Sequence, residues 1–403
     1  MRNRRNYLLG IVSTDICRKE KIPMRLDRRN FLKSAAALCA GSSFAGPLAN
    51  PAFAQPAASS GFSPQAGAWR NFAVVTRLEI NSPEGMTQAW IPLPSSDGNG
   101  QDAAWIRAGT NTWTTNAANA RIVSDPKNGV SMLHVAWTEA EPTSSIEVIS
   151  KFSVRDRAID LGAPPRSAKL SEAEYRLFTS PSRYKPLDGI VKATSDKATA
   201  GAKSELEKAR AIYEWIIDNT IREASVRGCG NGDVVALLES GYPIRGKCAD
   251  LNGLYVALAR AAGLPARDVY GVRIAPSRFG YASLGTKSEV ISKSQHCRAE
   301  VFIDGLGWLP VDPADVRKVM LEEPPANLPY NDPKVAAARN TLFGAWETNW
   351  LAYNTANDVE LPGSKNPPLA FLMYPQAEKA GMRLDCLDPD AFKYVITSRE
   401  LGA

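Results

Sequence analysis

Histidine is the scarcest chemistry-bearing residue in this chain of 403 residues: there are two, His134 and His296. A histidine-based metal centre therefore lacks ligands, and no cluster of closely spaced Cys and His replaces them. Cysteine is also sparse, at six. The spacings show no close pairs, so a disulfide scaffold is excluded. Long apolar runs are missing too. The Ala-rich stretch near the N-terminus is interrupted by Lys33, serines, glycines and Pro47 well short of the ~20 residues that span a bilayer. Nor does the body of the chain carry excess charge of either sign. The formal net charge is +6, but residues 1–54 hold ten Lys/Arg against three Asp/Glu, a local +7, which leaves −1 for residues 55–403. Charge gives no case for nucleic-acid binding.

That basic N-terminal segment reads as an address. From Met24 it runs through the pair Arg28-Arg29, then Phe31, Leu32 and Lys33, and ends at Ala52-Phe53-Ala54, the small-x-small pattern of signal peptidase. Residues 1–54 are expected to be a twin-arginine signal peptide with an upstream extension, cut after Ala54. The precursor's partner is then the twin-arginine export machinery, and the mature protein is periplasmic with no membrane span. Cys17 and Cys39 leave with the leader. Of the remaining Cys229, Cys248, Cys297 and Cys386, an oxidising compartment allows one bridge, and spacing does not choose it.

Residues 55–67 are small, polar and Pro-containing, a linker. Over 68–161, "FAVVTRLEI", "TQAWIPLP", "SMLHVAWTEA" and "SSIEVISKFSV" are β-branched or aromatic runs separated by turn clusters. They predict an all-β sandwich, in which His134 is a solvated strand residue. From Ala202 the period changes, and Leu206, Ala209, Ile212, Tyr213, Ile216 and Ile217 mark one helical face, with Trp215 assigned to helix core. A second helix follows Cys248 and ends at Gly263. Strand-like "RDVYGVRI", a polar loop, and the strands "HCRAEVFI" and "GWLPVD" come next. This pattern predicts an α+β core over 166–320. Residues 333–352 read as helical, within a strand-containing C-terminal extension over 321–403.

"GCGNGD" (228–233) resembles a phosphate loop but lacks the Lys-Ser/Thr ending and a preceding strand, so it reads as a turn with a structural or site-lining cysteine. His296 heads one strand of the 296–312 hairpin and Asp312 ends the other. A cysteine nucleophile needs a base, and the base needs a carboxylate or amide to fix its tautomer. Cys248, His296 and Asp312 supply those types in order. Cys248 also opens a helix, where unpaired N–H groups favour an anion. A three-residue loop (Asp304, Gly305, Leu306) pairs Ile303 with Gly307, which sets Asp312 opposite Arg298, one diagonal step from His296 on the same face. Asp250, in the first helical turn, reads as structural.

"GKCADLNGLYVALARAAGLPARDVYG" followed by "HCRAEVFIDGLGWLPVDPAD" resembles the transglutaminase-like superfamily, over about residues 200–320. The resemblance implies a papain-like cysteine proteinase core with Cys248 as nucleophile, His296 as general base and acid, and Asp312 as orienting carboxylate. The β domain resembles the N-terminal sandwich of bacterial members. Where many members carry an aromatic just after the His, this chain has Cys297 and Arg298, which leaves pocket shape and substrate class open. The expected function is amide cleavage or transfer on peptides or proteins, cell-envelope peptides among them, through an acyl-enzyme, with hydrolysis favoured. The alternatives are a true protein-glutamine transglutaminase and a non-catalytic peptide- or glycan-binding module. No organic-cofactor motif occurs, and no acidic loop points to the calcium that some related eukaryotic enzymes use.

Overall fold

In the computed structural model the described residues are 61–81, 85–95, 104–137, 143–163, 167–388, 390 and 392–402. The expected leader, with Arg28, Arg29 and Ala54, lies outside them. The N-terminal strands are β1 (Arg70–Asn81), β2 (Thr87–Pro92), β3 (Ile106–Thr115), β4 (Asn119–Ser124), β5 (Ser131–Trp137), β6 (Thr143–Val154) and the short β7 (Arg157–Ala158). Then come α1 (Glu172–Thr179), α2 (Gly189–Ala198), α3 (Glu205–Asn219), β8 (Thr220–Arg222), α4 (Val234–Glu239), β9 (Ile244–Gly246) and α5 (Cys248–Ala261). The core continues with β10 (Ala266–Arg273), β11 (Gln295–Ile303), β12 (Gly307–Val311), α6 (Pro313–Glu322) and α7 (Pro333–Thr341). The last strands are β13 (Ala345–Trp346), β14 (Trp350–Asn354), β15 (Gln376–Lys379), β16 (Met382–Arg383) and β17 (Lys393–Leu401).

Strand periodicity builds the sandwich. Phe72, Val74, Leu78 and Ile80 of β1 and Ile146, Val148, Phe152 and Val154 of β6 alternate inward. One sheet has the order β17-β1-β6-β3, the other β16-β15-β2-β5-β4. Leu78, Ile80, Ala89, Ile91, Leu133, Val135, Trp137 and Phe392 fill the space between them. The tail therefore closes both sheets, through β17 on β1 and β15 on β2. His134 is not simply solvated. It is half-buried, stacked on Trp90 at 5.2 Å between ring centroids, with Nε2 3.1 Å from Gln88 Oε1.

The core sheet has the order β12-β11-β10-β14, packed against α5. The expected hairpin is present, with Ile303 opposite Gly307 and Ala299 opposite Val311. Helix α3 buries Ala209, Ile212, Tyr213, Ile216 and Ile217, while Trp215 packs half-buried at the edge of the same core. One correction concerns residues 333–352: the helix stops at Thr341, and Trp350 begins a sheet strand. Gly344 adopts φ +117°, which a helix does not accept. Trp350 instead lies beneath Gly271, where a Cβ would stand 2.6 Å from its ring.

Candidate active site

The start of α5 is built before its thiol is placed. Lys247 precedes the helix with extended backbone and lends it no capping side chain. Asp250, three residues on, does that work. Its Oδ2 accepts the Lys247 N–H at 3.0 Å, and its Oδ1 accepts the N–H groups of Asn231 and Gly232, each at 3.0 Å. The glycine loop that resembles a phosphate loop thus cradles a carboxylate of its own chain. A Cβ on Gly230, whose φ is +92°, would stand 1.9 Å from Asp250 Oδ2, so only glycine fits. The Cys229 carbonyl accepts the Ala249 N–H at 2.9 Å. Loop 228–233 and α5 are locked together, with Cys248 at the first helical position.

His296 comes from the head of β11. Trp350 donates its indole N–H to the His296 carbonyl at 2.9 Å, and Gly271 lies opposite in the ladder. His296 Nε2 is 2.8 Å from Asp312 Oδ2 and 3.4 Å from Asp315 Oδ2. The nitrogen left for Cys248 is therefore Nδ1. Asp312 caps α6: its Oδ1 accepts the Asp315 N–H at 3.0 Å and the Asn252 amide at 2.9 Å. Asn252 also donates to the Cys297 carbonyl at 2.8 Å. The structure brings all three expected site residues together, and each is almost wholly buried: Cys248 and His296 are 3% exposed and Asp312 0%.

Asp315 and Asn252 carry no role in the sequence reading. The spacing Asp-Pro-x-Asp, a capped helix start with a second carboxylate in the first turn, was the available signal for Asp315. Asn252, one helical turn after Cys248, had none beyond its polarity in an apolar run. Asp315 is paired with Arg273 at 2.6 Å, and Arg298 Nε lies 3.5 Å from Asp312. The donor groups of His296, Asp312 and Asp315 lie within 4.8 Å of one another, as metal ligands can. Both carboxylates already face a guanidinium, so the cluster is balanced internally. Arg298 itself is sandwiched between Trp346 and Trp350, at 5.1 and 4.8 Å from their ring centroids.

Three thiols meet here, and all four described cysteines are free. The Cys248 thiol is held well below the ordinary range, first by hydrogen bonds from Cys229 and Cys297, then, against the opposing effect of burial, by His296. The hydrogen bond to Cys248 holds the Cys229 thiol well above its usual value; burial and Cys248 do the same for Cys297. Burial pushes the His296 imidazolium down, yet Asp315 and Asp312 outweigh it and raise it to about 9. The two shifts together favour the ion pair of thiolate and imidazolium over the neutral thiol and imidazole. Beside it, Gln295 lines the same cavity. Its side-chain Nε2 is buried and without a hydrogen-bond partner among the described residues.

Residues 192–313 match the model of the transglutaminase-like superfamily. A Haemophilus influenzae protein described as uncharacterized is 34% identical over 333 residues, covering 79% of this chain and 87% of its own length. Among solved structures, a candidate cysteine protease from Cytophaga hutchinsonii is 15% identical, covering 83% of this chain and 99% of that one, with a TM-score of 0.46. The periplasmic domain of TgpA from Pseudomonas aeruginosa is 17% identical, covering 65% and 96%, with a TM-score of 0.29.

Proposed function

The chain belongs to the transglutaminase-like superfamily, and on that premise we propose that it is an exported thiol enzyme that cleaves amide bonds of peptides or proteins through an acyl-enzyme. The observation that carries this reading is a buried Cys248 sharing one cavity with His296, whose far nitrogen is fixed by Asp312 at 2.8 Å. Cys248 Sγ attacks the carbonyl carbon as thiolate, and the carbonyl π electrons move to oxygen. The Cys248 backbone N–H and Gln295 Nε2 are the donors for that oxyanion. His296 gives its Nδ1 proton to the leaving amine, the C–N bond breaks, and a thioester remains. His296 then removes a proton from water, hydroxide adds to the thioester, and collapse releases the acid and restores the thiolate.

Hydrolysis is favoured over transfer because water is always present, whereas amine transfer needs a site that excludes it. Labelling with a thiol-directed electrophile tests the nucleophile: Cys248 should be modified first among the four mature cysteines. Ammonia release from a glutamine peptide that depends on an added primary amine would instead identify a cross-linking enzyme. An inert Cys248 would leave only a binding role. The leader reading supports export by the twin-arginine route, and the mature N-terminus found by mass spectrometry should be Gln55. No helix among the described residues is long and apolar enough to cross a membrane.

A further inference from the structure

The cavity over Cys248 has a volume of about 500 Å³ and an uneven charge. Arg222, Arg227, Lys247, Lys293, Lys318 and Lys393 all line it, and Arg273 reaches it from beneath. Among the described residues no aspartate or glutamate does. This stands against a body, residues 55–403, whose formal charge is only −1. The surrounding carboxylates do not balance it. Arg222 and Lys318 share the single carboxylate of Glu322, Arg227 takes Asp385, and Arg273 takes Asp315. Lys247, Lys293 and Lys393 make no ion pair among the described residues. The thiolate and imidazolium of the resting site cancel one another and leave this excess standing.

Lys318 is a partly buried lysine of this set. Its side chain is 17% exposed; Glu322, 3.7 Å away, is already bonded to Arg222, and Asp315, whose charge also reaches it, is paired with Arg273. Burial, then the nearby Arg273 guanidinium, lowers its ammonium to about 8. An ammonium held among cations and partly out of water is stabilised by any anion that reaches it. Low-dielectric walls focus the field of such a cleft onto an incoming ligand.

Resting on the thiol-enzyme reading above, we propose that the acyl donor is an acidic peptide, with carboxylates flanking the amide that Cys248 attacks and Lys318 as the innermost anchor. A peptide is favoured over other polyanions because the cleft ends on a thiol that acts at acyl carbon. A cavity of this size also holds a few residues of an extended chain rather than a duplex. Lys293 and Lys393 at the rim then steer the substrate, and Lys247 and Lys318 hold it in the cavity that contains the thiol.

Two alkylating probes of nearly equal size test the charge of the site. Iodoacetamide is neutral and iodoacetate is an anion. Both consume the same Cys248 thiolate, so their rate ratio cancels the thiolate fraction. In the mature protein, residues 55–403, at low ionic strength, the iodoacetate to iodoacetamide ratio at Cys248 should exceed that of the same residue in the urea-unfolded chain by about tenfold or more. It should fall steeply at about 1 M NaCl, where the Debye length is near 3 Å. Lys318→Met should reduce it several-fold. The rim double variant Lys293→Met, Lys393→Met should reduce it too, and serves if the buried substitution prevents folding. A native ratio equal to the unfolded one overturns the proposal. The second arm is calorimetric titration of the Cys248→Ser protein with an octapeptide carrying glutamates on both sides of its central amide, and with its glutamine isostere. The glutamate peptide should bind about tenfold more tightly, in a salt-dependent way; equal affinities overturn the proposal. A Cys248 slow toward both reagents, but with the raised ratio and the glutamate preference intact, would remove the thiol-enzyme reading and leave the anionic ligand class standing.

Discussion

Cys248 reacts as its neighbours dictate, and the neighbours can be removed one at a time. Hydrogen bonds from Cys229 and Cys297 and the charge of His296 all favour the thiolate, so His296→Ala should slow iodoacetamide alkylation of Cys248 near neutral pH by about tenfold while Cys386 reacts as before. An unaltered rate would show that His296 does not activate the thiol. The upper pH limit belongs to the imidazolium. With His296 raised to about 9 and the Cys248 thiol held well below its ordinary range, the reactive ion pair persists up to about 9, and turnover should decline as pH rises through that value. Asp315 raises the imidazolium by its charge, and Asp312 by both its charge and its hydrogen bond. Asp315→Asn should therefore move the alkaline limb of kcat/KM toward neutrality; a limb that stays near 9 would assign the shift elsewhere. Gln295 separates binding of the oxyanion from activation of the thiol. Gln295→Ala should cut kcat by about 10²-fold, the scale set by loss of one oxyanion donor, and leave the alkylation rate of Cys248 nearly unchanged. A matching loss in both would make Gln295 a support for the thiol, not a donor to the substrate. Of these residues, the sequence pointed to Cys248, His296 and Asp312 because each stands at the end of an element with a readable signal. Asp315, Asn252 and Gln295 act through side-chain directions, which one-dimensional spacing does not carry.

The elements most legible in the sequence are those whose burial follows a strict period. β1, β6, α3 and α5 bury one face each or, for α5, nearly all faces, and all four stood out. The 303–307 hairpin was also readable, because loop length and strand parity together fix its register. β3 and β4 were not. Their residues are largely exposed and polar, so no apolar alternation announces them; pairing with β6 and β5 makes them strands. Residues 342–352 failed in the opposite way, since buried Leu342, Phe343, Trp346, Trp350 and Leu351 mimic a helical stripe, which Gly344 breaks. Glycines 228, 230 and 232 carried a signal that was read only halfway. Their left-handed backbone wraps an anion, and the anion is Asp250. The consequence is testable at Gly230. Alanine there must adopt φ near +92° and displace a buried carboxylate that holds three N–H groups. Gly230→Ala should cost about 2–4 kcal/mol in denaturant unfolding and loosen the start of α5, raising the Cys248 thiol toward its ordinary range. Wild-type stability and reactivity in this variant would show that the loop does not brace the helix.

At the scale of the whole molecule, the end of the chain is tied to the candidate site. β17 pairs with β1 along nine register positions, from Asn71 opposite Leu401 to Glu79 opposite Lys393. Its other edge holds the segment that leads into β11: the Ile291 N–H donates to the Ile396 carbonyl at 2.8 Å, the Ser398 N–H to the Glu289 carbonyl at 2.9 Å, and the Ile396 N–H to Ser292 Oγ at 2.8 Å. Ser292, Lys293, Ser294 and Gln295 then line the cavity before His296, and Lys393 and Tyr394 line it from β17 itself. A strand from the last eleven residues thus joins the sandwich to the wall of the cleft. The triad does not depend on it, because Cys248 is set by α5 and loop 228–233, and His296 and Asp312 by β11, α6 and Trp350. Removing residues 393–403 should accordingly lower the thermal midpoint and reduce kcat/KM by an order of magnitude or more, chiefly through KM, while iodoacetamide still labels Cys248 faster than a free thiol. Ile396→Ala, which trims a side chain 1% exposed, is the milder form. It should cost about 2–4 kcal/mol and shift KM in the same direction. If truncation leaves KM at its wild-type value, the sandwich is only a neighbour of the cleft; if it abolishes labelling of Cys248 as well, β17 supports the catalytic core and not merely the wall around it.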